Sequence, residues 1–149
     1  MSLKQDLLKA IFSEIEQQEK TLKAEIESVR EEMSQETKSS AGDKFETSRE
    51  MMSQEKSRLE DRLASLRNKK KSQIEAMEAK GANSINFGSL VDCGDNLFLI
   101  GISLGKIEFK GKSVMAVSLN SPIGKAFYQK KANDVVSFMS NNYTIKSIS

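Results

Sequence analysis

The sequence predicts an α+β protein in which a long antiparallel coiled-coil hairpin of two helices precedes a small α+β domain. Residues 1–80 contain one glycine and no proline, and their apolar residues recur at heptad spacing. Residues 81–149 contain seven of the eight glycines and the single proline, between short runs of β-prone residues. We therefore expect two domains, 1–80 and 81–149.

The first arm of the predicted hairpin carries an apolar stripe along one helix face. Four residues recur every seven positions and three more follow at the complementary spacing of four, which is the repeat of a coiled-coil seam. Glu19 interrupts this repeat. The members of the stripe are Leu8, Ile15, Leu22 and Val29, with Phe12, Ile26 and Met33.

The second arm follows the only break in the helical pattern, "SSAGDKFETSRE" at 39–50. We expect the two arms to fold back on each other, because each narrow stripe lacks another partner in the chain. Each arm has roughly 35 residues, so at 1.5 Å per residue the hairpin is about 50 Å long. Its tip, near 39–46, is expected to project into solvent or into a partner. The second stripe comprises Phe45, Met52, Leu59, Leu63 and Leu66, with Ile74 and Met77 beyond.

Two acidic residues, Asp43 and Glu46, follow the break directly. An Asp at the N-cap with a Glu three residues later is a capping-box arrangement, and both acids favour the helix dipole. Gly42 suits the turn before them. The spacing of three also places both carboxylates on one helix face. Capping and a functional role at the tip are compatible.

The two arms differ in charge. Residues 1–37 carry five bases and nine acids, whereas residues 44–80 carry ten bases and seven acids. Either the arms simply attract each other, or the bases of the second arm face RNA phosphates or an acidic protein surface. This basic strip comprises Arg58, Arg62, Arg67, Lys69, Lys70 and Lys71.

The second half of the chain reads as strands around one short helix. Ser121-Pro122 predicts an N-cap followed by proline at the first helical position, with a helix over about 122–131. "DVVSFM" and "YTIKSI" predict two further strands joined by a turn at Asn141-Asn142. Four phenylalanines are expected in the core, namely Phe87, Phe98, Phe109 and Phe138.

The stretch "VSLNSPIGKAFYQKKANDVVSF" (117–138) resembles the C-terminal domain of the bacterial Gre transcript-cleavage factors. "GDKFE" (42–46) is similar to the Gly-Asp-x-x-Glu that this family carries at its hairpin tip. Hairpin, tip and C-terminal domain occur in the family's order, so the resemblance covers nearly the whole chain. The matching C-terminal positions are Asn120, Ser121, Pro122, Ile123, Lys130, Asp134, Val135 and Val136.

The resemblance implies a C-terminal domain similar in fold to FKBP prolyl isomerases. It also implies a transcription elongation factor that binds RNA polymerase at its secondary channel and stimulates cleavage of backtracked nascent RNA. The protein would not be an enzyme alone, because the polymerase's active site cuts the RNA. No small-molecule substrate is expected.

The resemblance assigns the catalytic and metal-binding role to Asp43 and Glu46. They would hold a Mg²⁺ ion shared with the polymerase active site, and the protein alone would hold none tightly. Arg49 and the basic strip are weaker candidates for RNA contacts. Candidates for polymerase contacts are Ser121, Pro122, Ile123, Lys125 and Tyr128.

One departure from the family pattern leaves an alternative open. Gre tips usually continue Asn-Ala-Glu-Tyr after the glutamate, whereas here Thr47-Ser48-Arg49-Glu50 follows. Arg49 lies three residues after Glu46, so it either pairs with that carboxylate or contacts RNA phosphate. The alternative function is a regulator of the same fold that occupies the channel without cleavage.

Other functions find less support in the composition. The chain has no His, which excludes catalysis by histidine and zinc sites that use histidine ligands. A prolyl isomerase would need an aromatic-rich pocket, and there are no Trp and two Tyr. A plain coiled-coil adaptor would tolerate replacement of the tip. One Cys, no signal peptide and no long apolar run predict a soluble cytoplasmic protein.

Overall fold

The computed structural model describes residues 2–36, 43–81 and 83–149, and the side chains of Glu36 and of residues 43–45 lie outside the described set. Two long helices precede seven strands and a short third helix. The bounds are α1 Leu3–Glu36, α2 Asp43–Glu78, β1 Leu90–Asp92, β2 Leu97–Gly101, β3 Gly105–Phe109, β4 Lys112–Ser118, α3 Pro122–Phe127, β5 Val135–Phe138, β6 Asn141–Thr144 and β7 Ser147–Ile148.

This architecture confirms the predicted α+β class with an N-terminal helical hairpin. Contacts divide the chain into two compact units. One consists of Ser13–Lys70 and contains most of the hairpin. The other consists of Met1–Phe12 with Lys71–Ser149, and so joins the base of the hairpin to the strands. The predicted domain boundary at residue 80 stays a prediction.

In the Ser13–Lys70 unit the two helices pack through an apolar seam. Ile26, Leu59 and Leu63 are buried, with Leu22 and Val29 packed against them. Partners run in opposite directions along the chain, because Glu19 meets Lys70 whereas Val29 lies near Met52. The arms are therefore antiparallel, as the two stripes predict.

The seam of α2 departs from the predicted stripe towards its C-terminal end. From Leu59 the steps of four, three, four and three lead through Leu63, Leu66 and Lys70 to Gln73. Gln73 is buried, whereas Ile74 and Met77 are 38% and 37% exposed. Ile74 directly follows Gln73 and so lies beside the seam, which makes the prediction that Ile74 continues the stripe wrong. Met77 lies four residues after Gln73 and therefore keeps the repeat, although it is partly exposed.

The other unit contains a five-stranded mixed sheet in the order β3-β4-β2-β1-β7, and a separate two-stranded sheet of β5 and β6. β2 and β4 pair in parallel. β3, which lies between them in the sequence, pairs antiparallel with β4 at the edge of the sheet. β2 is buried along its whole length. Alternate residues of a strand face opposite sides, so both faces of β2 are covered.

One face of the sheet packs on α3 around an aromatic cluster. The rings of Phe98 and Phe127 lie 4.8 Å apart, and Tyr143 meets Phe98 edge-on at 5.2 Å. Phe127, absent from the predicted core, is fully buried. Of the four phenylalanines predicted there, Phe98 is buried, and the others are half-buried.

The base of the hairpin is joined to this sheet unit by specific contacts. Lys110 Nζ lies 2.8 Å from Asp6 Oδ2, which links the β3–β4 turn to α1. The Gln73 side chain donates a hydrogen bond to the Leu8 carbonyl oxygen at 3.0 Å. Gly88 has φ of 89° and lies close to the end of α2, because a Cβ there would be 3.1 Å from the Ala76 carbonyl oxygen and 2.9 Å from Cβ of Ala79, the residue that follows the helix.

Two local predictions in the second half are corrected. α3 ends at Phe127, earlier than the predicted 131, and Gln129 then adopts a left-handed φ of 63°. The β5–β6 turn lies at Met139-Ser140, whose φ values are 48° and 67°, so Asn141 and Asn142 belong to β6. Positive φ at both central residues is the geometry of a type I′ hairpin turn.

Candidate functional site

The start of α2 is where the sequence places the acidic site. The helix begins at Asp43, so Glu46 lies in its first turn, and the Glu46 side chain is exposed. The Asp43 side chain and residues 37–42 lie outside the described residues. The capping role of Asp43 and the distance between the two carboxylates therefore stay predictions.

Arg49, one turn further along α2, bears on whether Glu46 is available as a ligand. Both side chains are described and exposed, and no ion pair joins them. A guanidinium bound to the carboxylate would compete with a divalent cation for the same oxygens. In this geometry Glu46 is not held by Arg49.

Carboxylate oxygens are the ligands that magnesium prefers, and the exposed Glu46 suits that chemistry. Within the described part of the chain, no three acidic or cysteine side chains converge as they would in a closed metal cage. A two-carboxylate arrangement of Asp43 and Glu46 would leave most positions around an ion for water or another molecule's oxygens.

Three of the six residues of the predicted basic strip form ion pairs with acidic residues of the hairpin. Arg58 binds Glu55, with its Nη2 atom 2.6 Å from Oε1, and this contact lowers the pKa of the Glu55 carboxyl. Arg67 and Lys70 both contact Glu19. Exposed strip members without an ion pair to any other described residue are Arg62, Lys69 and Lys71. The prediction that the strip contacts RNA phosphate therefore applies most directly to these three.

Glu19 is the centre of an ion cluster that the sequence analysis did not predict. Its carboxylate is 3.2 Å from Lys70 Nζ, 3.5 Å from Arg67 Nε and 3.8 Å from Lys23 Nζ, and its side chain is 14% exposed. Lys70 also lies 3.7 Å from Glu16. The hydrogen bond from Lys70 is the main cause that lowers the pKa of Glu19.

A signal for this cluster was present in the sequence. Glu19 occupies a seam position of the α1 repeat, and one heptad after Leu63 places Lys70 at a seam position of α2. Opposite charges at seam positions of both arms predict that they meet. The predicted stripe passed from Leu66 to Ile74 and so skipped Lys70, which the heptad count includes.

The predicted polymerase-contact residues surround the start of α3. Ser121 is its N-cap: the Gly124 N–H donates to Ser121 Oγ at 3.0 Å, and Oγ donates to the Ser118 carbonyl at 2.6 Å. Pro122 follows at the first helical position, which confirms the predicted helix start. Pro122, Lys125 and Tyr128 are exposed, whereas Ile123 packs against the core. Exposure makes the first three available for contact.

Phe98, Phe127 and Tyr143 do not form a second candidate site. Phe98 and Phe127 are buried in the core, and Tyr143 packs against them. These rings fill the interior beneath the sheet. A prolyl isomerase pocket would need aromatic side chains lining a cleft, and these three rings do not line one.

No family model, curated protein or solved structure matches this chain. The similarity to the Gre family therefore depends on the motifs "GDKFE" and "NSPI" and on the order of hairpin and α+β domain. Among the described residues, no helix combines the length and apolarity needed to cross a membrane.

Proposed function

We propose that the chain is a Gre-type transcription factor that binds RNA polymerase at its secondary channel and brings two carboxylates to backtracked RNA. The observation that carries the proposal is the first turn of α2, where Glu46 is exposed and unpaired with Arg49 directly after the hairpin break. The long hairpin followed by a small α+β domain is compatible with this family's shape.

Length supports the proposal as well. α1 has 34 residues and α2 has 36, so each is about 50 Å long along its own axis. A helix pair of that length suits a narrow channel that a globular domain cannot enter. The proposed carboxylates belong to Asp43 and Glu46 in the first turn of α2.

The proposed chemistry is hydrolysis of an RNA phosphodiester. The water oxygen bonds to phosphorus, the bond from phosphorus to the 3′ oxygen breaks, and the released 3′ oxygen takes a proton. A shared magnesium ion would stabilise the negative charge that develops on the phosphate oxygens. Asp43 and Glu46 would hold that ion, and the Glu46 carboxylate would also orient the attacking water. The polymerase supplies the rest of the site, so the chain is an activator and not an enzyme alone.

The α3 segment is the proposed docking element. Ser121 and Pro122 fix its start, and the exposed Lys125 and Tyr128 side chains provide a cation and an aromatic ring for a partner surface. Aromatic residues are enriched at protein interfaces. Exposed Arg62, Lys69 and Lys71 would add attraction to nucleic acid or to acidic protein surface.

A second candidate function is occupation of the channel without cleavage. It is favoured by Thr47-Ser48-Arg49-Glu50, which replaces the residues that usually follow the family's glutamate. In this case the chain regulates initiation or pausing by blocking access to the polymerase active site.

A transcript-cleavage assay separates the two candidates. The protein and magnesium are added to a stalled, backtracked polymerase complex carrying RNA labelled at its 3′ end. Release of short 3′ fragments supports the first function. Stable binding with altered transcription but no fragments supports the second, and failure to bind polymerase contradicts both.

A further inference from the structure

An open apolar groove lies between α1 and α2 in the Ser13–Lys70 unit. Its volume is about 590 Å³, and its lining is mostly apolar. Met51, one of its lining residues, is 65% exposed. The residues that line it include Val29, Glu32, Thr47, Ser48, Met51, Met52 and Glu55.

The groove has a cause in the sequence. Counting heptads back from Leu63 places Lys56 and Arg49 at seam positions of α2, whereas counting back from Leu59 places Met52 at one. Arg49 is exposed, and Lys56 pairs with Glu60 at 3.3 Å. Small Thr47 and Ser48 side chains lie where bulky residues would close the gap. The seam thus leaves apolar surface accessible beside Val29.

The charge around the groove indicates what binds there. Glu32 lies on the rim, is exposed and has no ion pair with another described residue. The second rim carboxylate, Glu55, is already paired with Arg58. Residues 25–58 carry nine acids and six bases, so this part of the hairpin is net −3.

The geometry points to a docking site for a basic amphipathic helix, which inserts an apolar side chain between Met51 and Val29 and places a Lys or Arg beside Glu32. Methionine is flexible and polarisable, which suits a surface that receives an apolar side chain from a partner. Helix-in-groove binding uses apolar anchors on one face of the partner, with flanking charges that set its orientation. The inference is independent of the proposed function, because it uses only residues of the groove.

The test uses the full chain and a fluorescein-labelled helical peptide of about 18 residues, with Leu on one face and Lys on the other. Anisotropy measures its affinity, and methionine methyl NMR locates it. We expect shifts at Met51 and Met52 and none at Met115 or Met139, which are also exposed. Equal shifts at all exposed methionines would overturn the proposal.

Matched variants sharpen the result. Met51→Gln is expected to weaken binding by about tenfold or more, because it removes the apolar contact of an anchor position. Met139→Gln is the control and should change nothing. Glu32→Gln should weaken binding several-fold and its exposed neighbour Glu31→Gln should not. Circular dichroism checks that each variant folds as the wild type does.

Other occupants give different outcomes, and each contradicts the proposal. A peptide with Glu in place of Lys that binds equally well would show a groove without charge preference. Shifts at Met51 and Met52 on concentrating the protein alone would show that a second copy fills it. If a control variant weakens peptide binding as much as the matched groove variant does, the peptide adsorbs non-specifically.

Discussion

Lys70 Nζ lies 3.2 Å from Glu19 Oε1 at a point where the apolar seam of both hairpin helices is interrupted. Arg67 and Lys23 contact the same carboxylate, so Glu19 is held by three cations. A charged residue at a seam position costs stability relative to a well-packed apolar residue but restricts the registers in which two helices fit. The cluster therefore aligns the arms as well as joining them.

The first prediction concerns pH. The contacts with Lys70, Lys23 and Arg67 hold the pKa of Glu19 below its ordinary value of 4.5. Folding therefore favours the ionised carboxylate, and this contribution is fully present above pH 4.5 and is lost as the pH falls through the lowered pKa. In the Glu19→Gln variant the free energy of unfolding should therefore fall less than in the wild type as the pH is lowered from about 5. Guanidinium unfolding at each pH, followed by circular dichroism, measures it.

The control for the pH experiment is Glu31→Gln, which removes an exposed carboxylate with no ion pair to another described residue. It should leave the wild-type pH profile unchanged. If Glu31→Gln and Glu19→Gln reduce the pH dependence of stability equally, the total charge of the protein, and not the Glu19 cluster, determines its acid sensitivity.

The second prediction is that an apolar seam is more stable but less specific. Glu19→Leu combined with Lys70→Leu should raise the guanidinium midpoint, because it replaces a desolvated ion pair with packed apolar surface. The same change makes the repeat continuous, so alternative registers and swapped dimers become competitive. Light scattering over a concentration series should then show more than one species.

Glu14→Leu with Lys69→Leu is the matched control, because it makes the same chemical change at exposed positions. It should not raise the midpoint. A seam variant that is less stable than wild type and remains a single species would contradict the assigned role of the cluster.

The third prediction concerns the junction between Gly88 and α2. Gly88→Ala should destabilise the protein by about 2 kcal/mol or more, because it combines a left-handed φ with a close approach to Ala79. Gly105 also has a positive φ, but nothing lies within 4 Å of a Cβ built there. Gly105→Ala should therefore cost only about 1–2 kcal/mol. Equal losses in chemical denaturation would show that packing against α2 contributes nothing.

The fourth prediction separates capping from binding at Ser121. Ser121→Ala should cost about 1 kcal/mol of stability, because the Gly124 N–H loses its acceptor. Ser121→Thr keeps the hydroxyl and should recover most of that loss. If Ser121→Thr restores stability but not polymerase affinity, the serine contacts the partner directly; full recovery of both assigns it to the cap alone.

The hairpin was predictable because its signals are local. Heptad spacing and the absence of Gly and Pro identify α1 and α2, and Ser121-Pro122 identifies the start of α3. The parallel pairing of β2 with β4 was not predictable in this way, since it joins strands that are not adjacent in sequence. The turn at Met139-Ser140 gave no signal either, because neither residue is typical of positive φ.

The candidate site was predictable only in part. The acidic residues at the start of α2 follow from the break in the helical pattern, but no local rule distinguishes a cap from a metal ligand. Whether Arg49 binds Glu46 depends on side-chain conformation, which spacing alone leaves open. The structure shows the two side chains apart, and this is the part of the site that the sequence left undecided.

The measurement that tests the central claim most directly is cleavage of backtracked RNA at matched polymerase occupancy. Wild-type protein with magnesium should release short 3′ fragments. Asp43→Asn with Glu46→Gln should slow release by on the order of 100-fold, as expected for loss of a charge-stabilising group, without weakening binding. Glu50→Gln, an exposed acid on the same helix, should cleave as the wild type does. Fragment release that is unchanged in the double variant, or absent in the wild type while polymerase is bound, would contradict the proposed cleavage function.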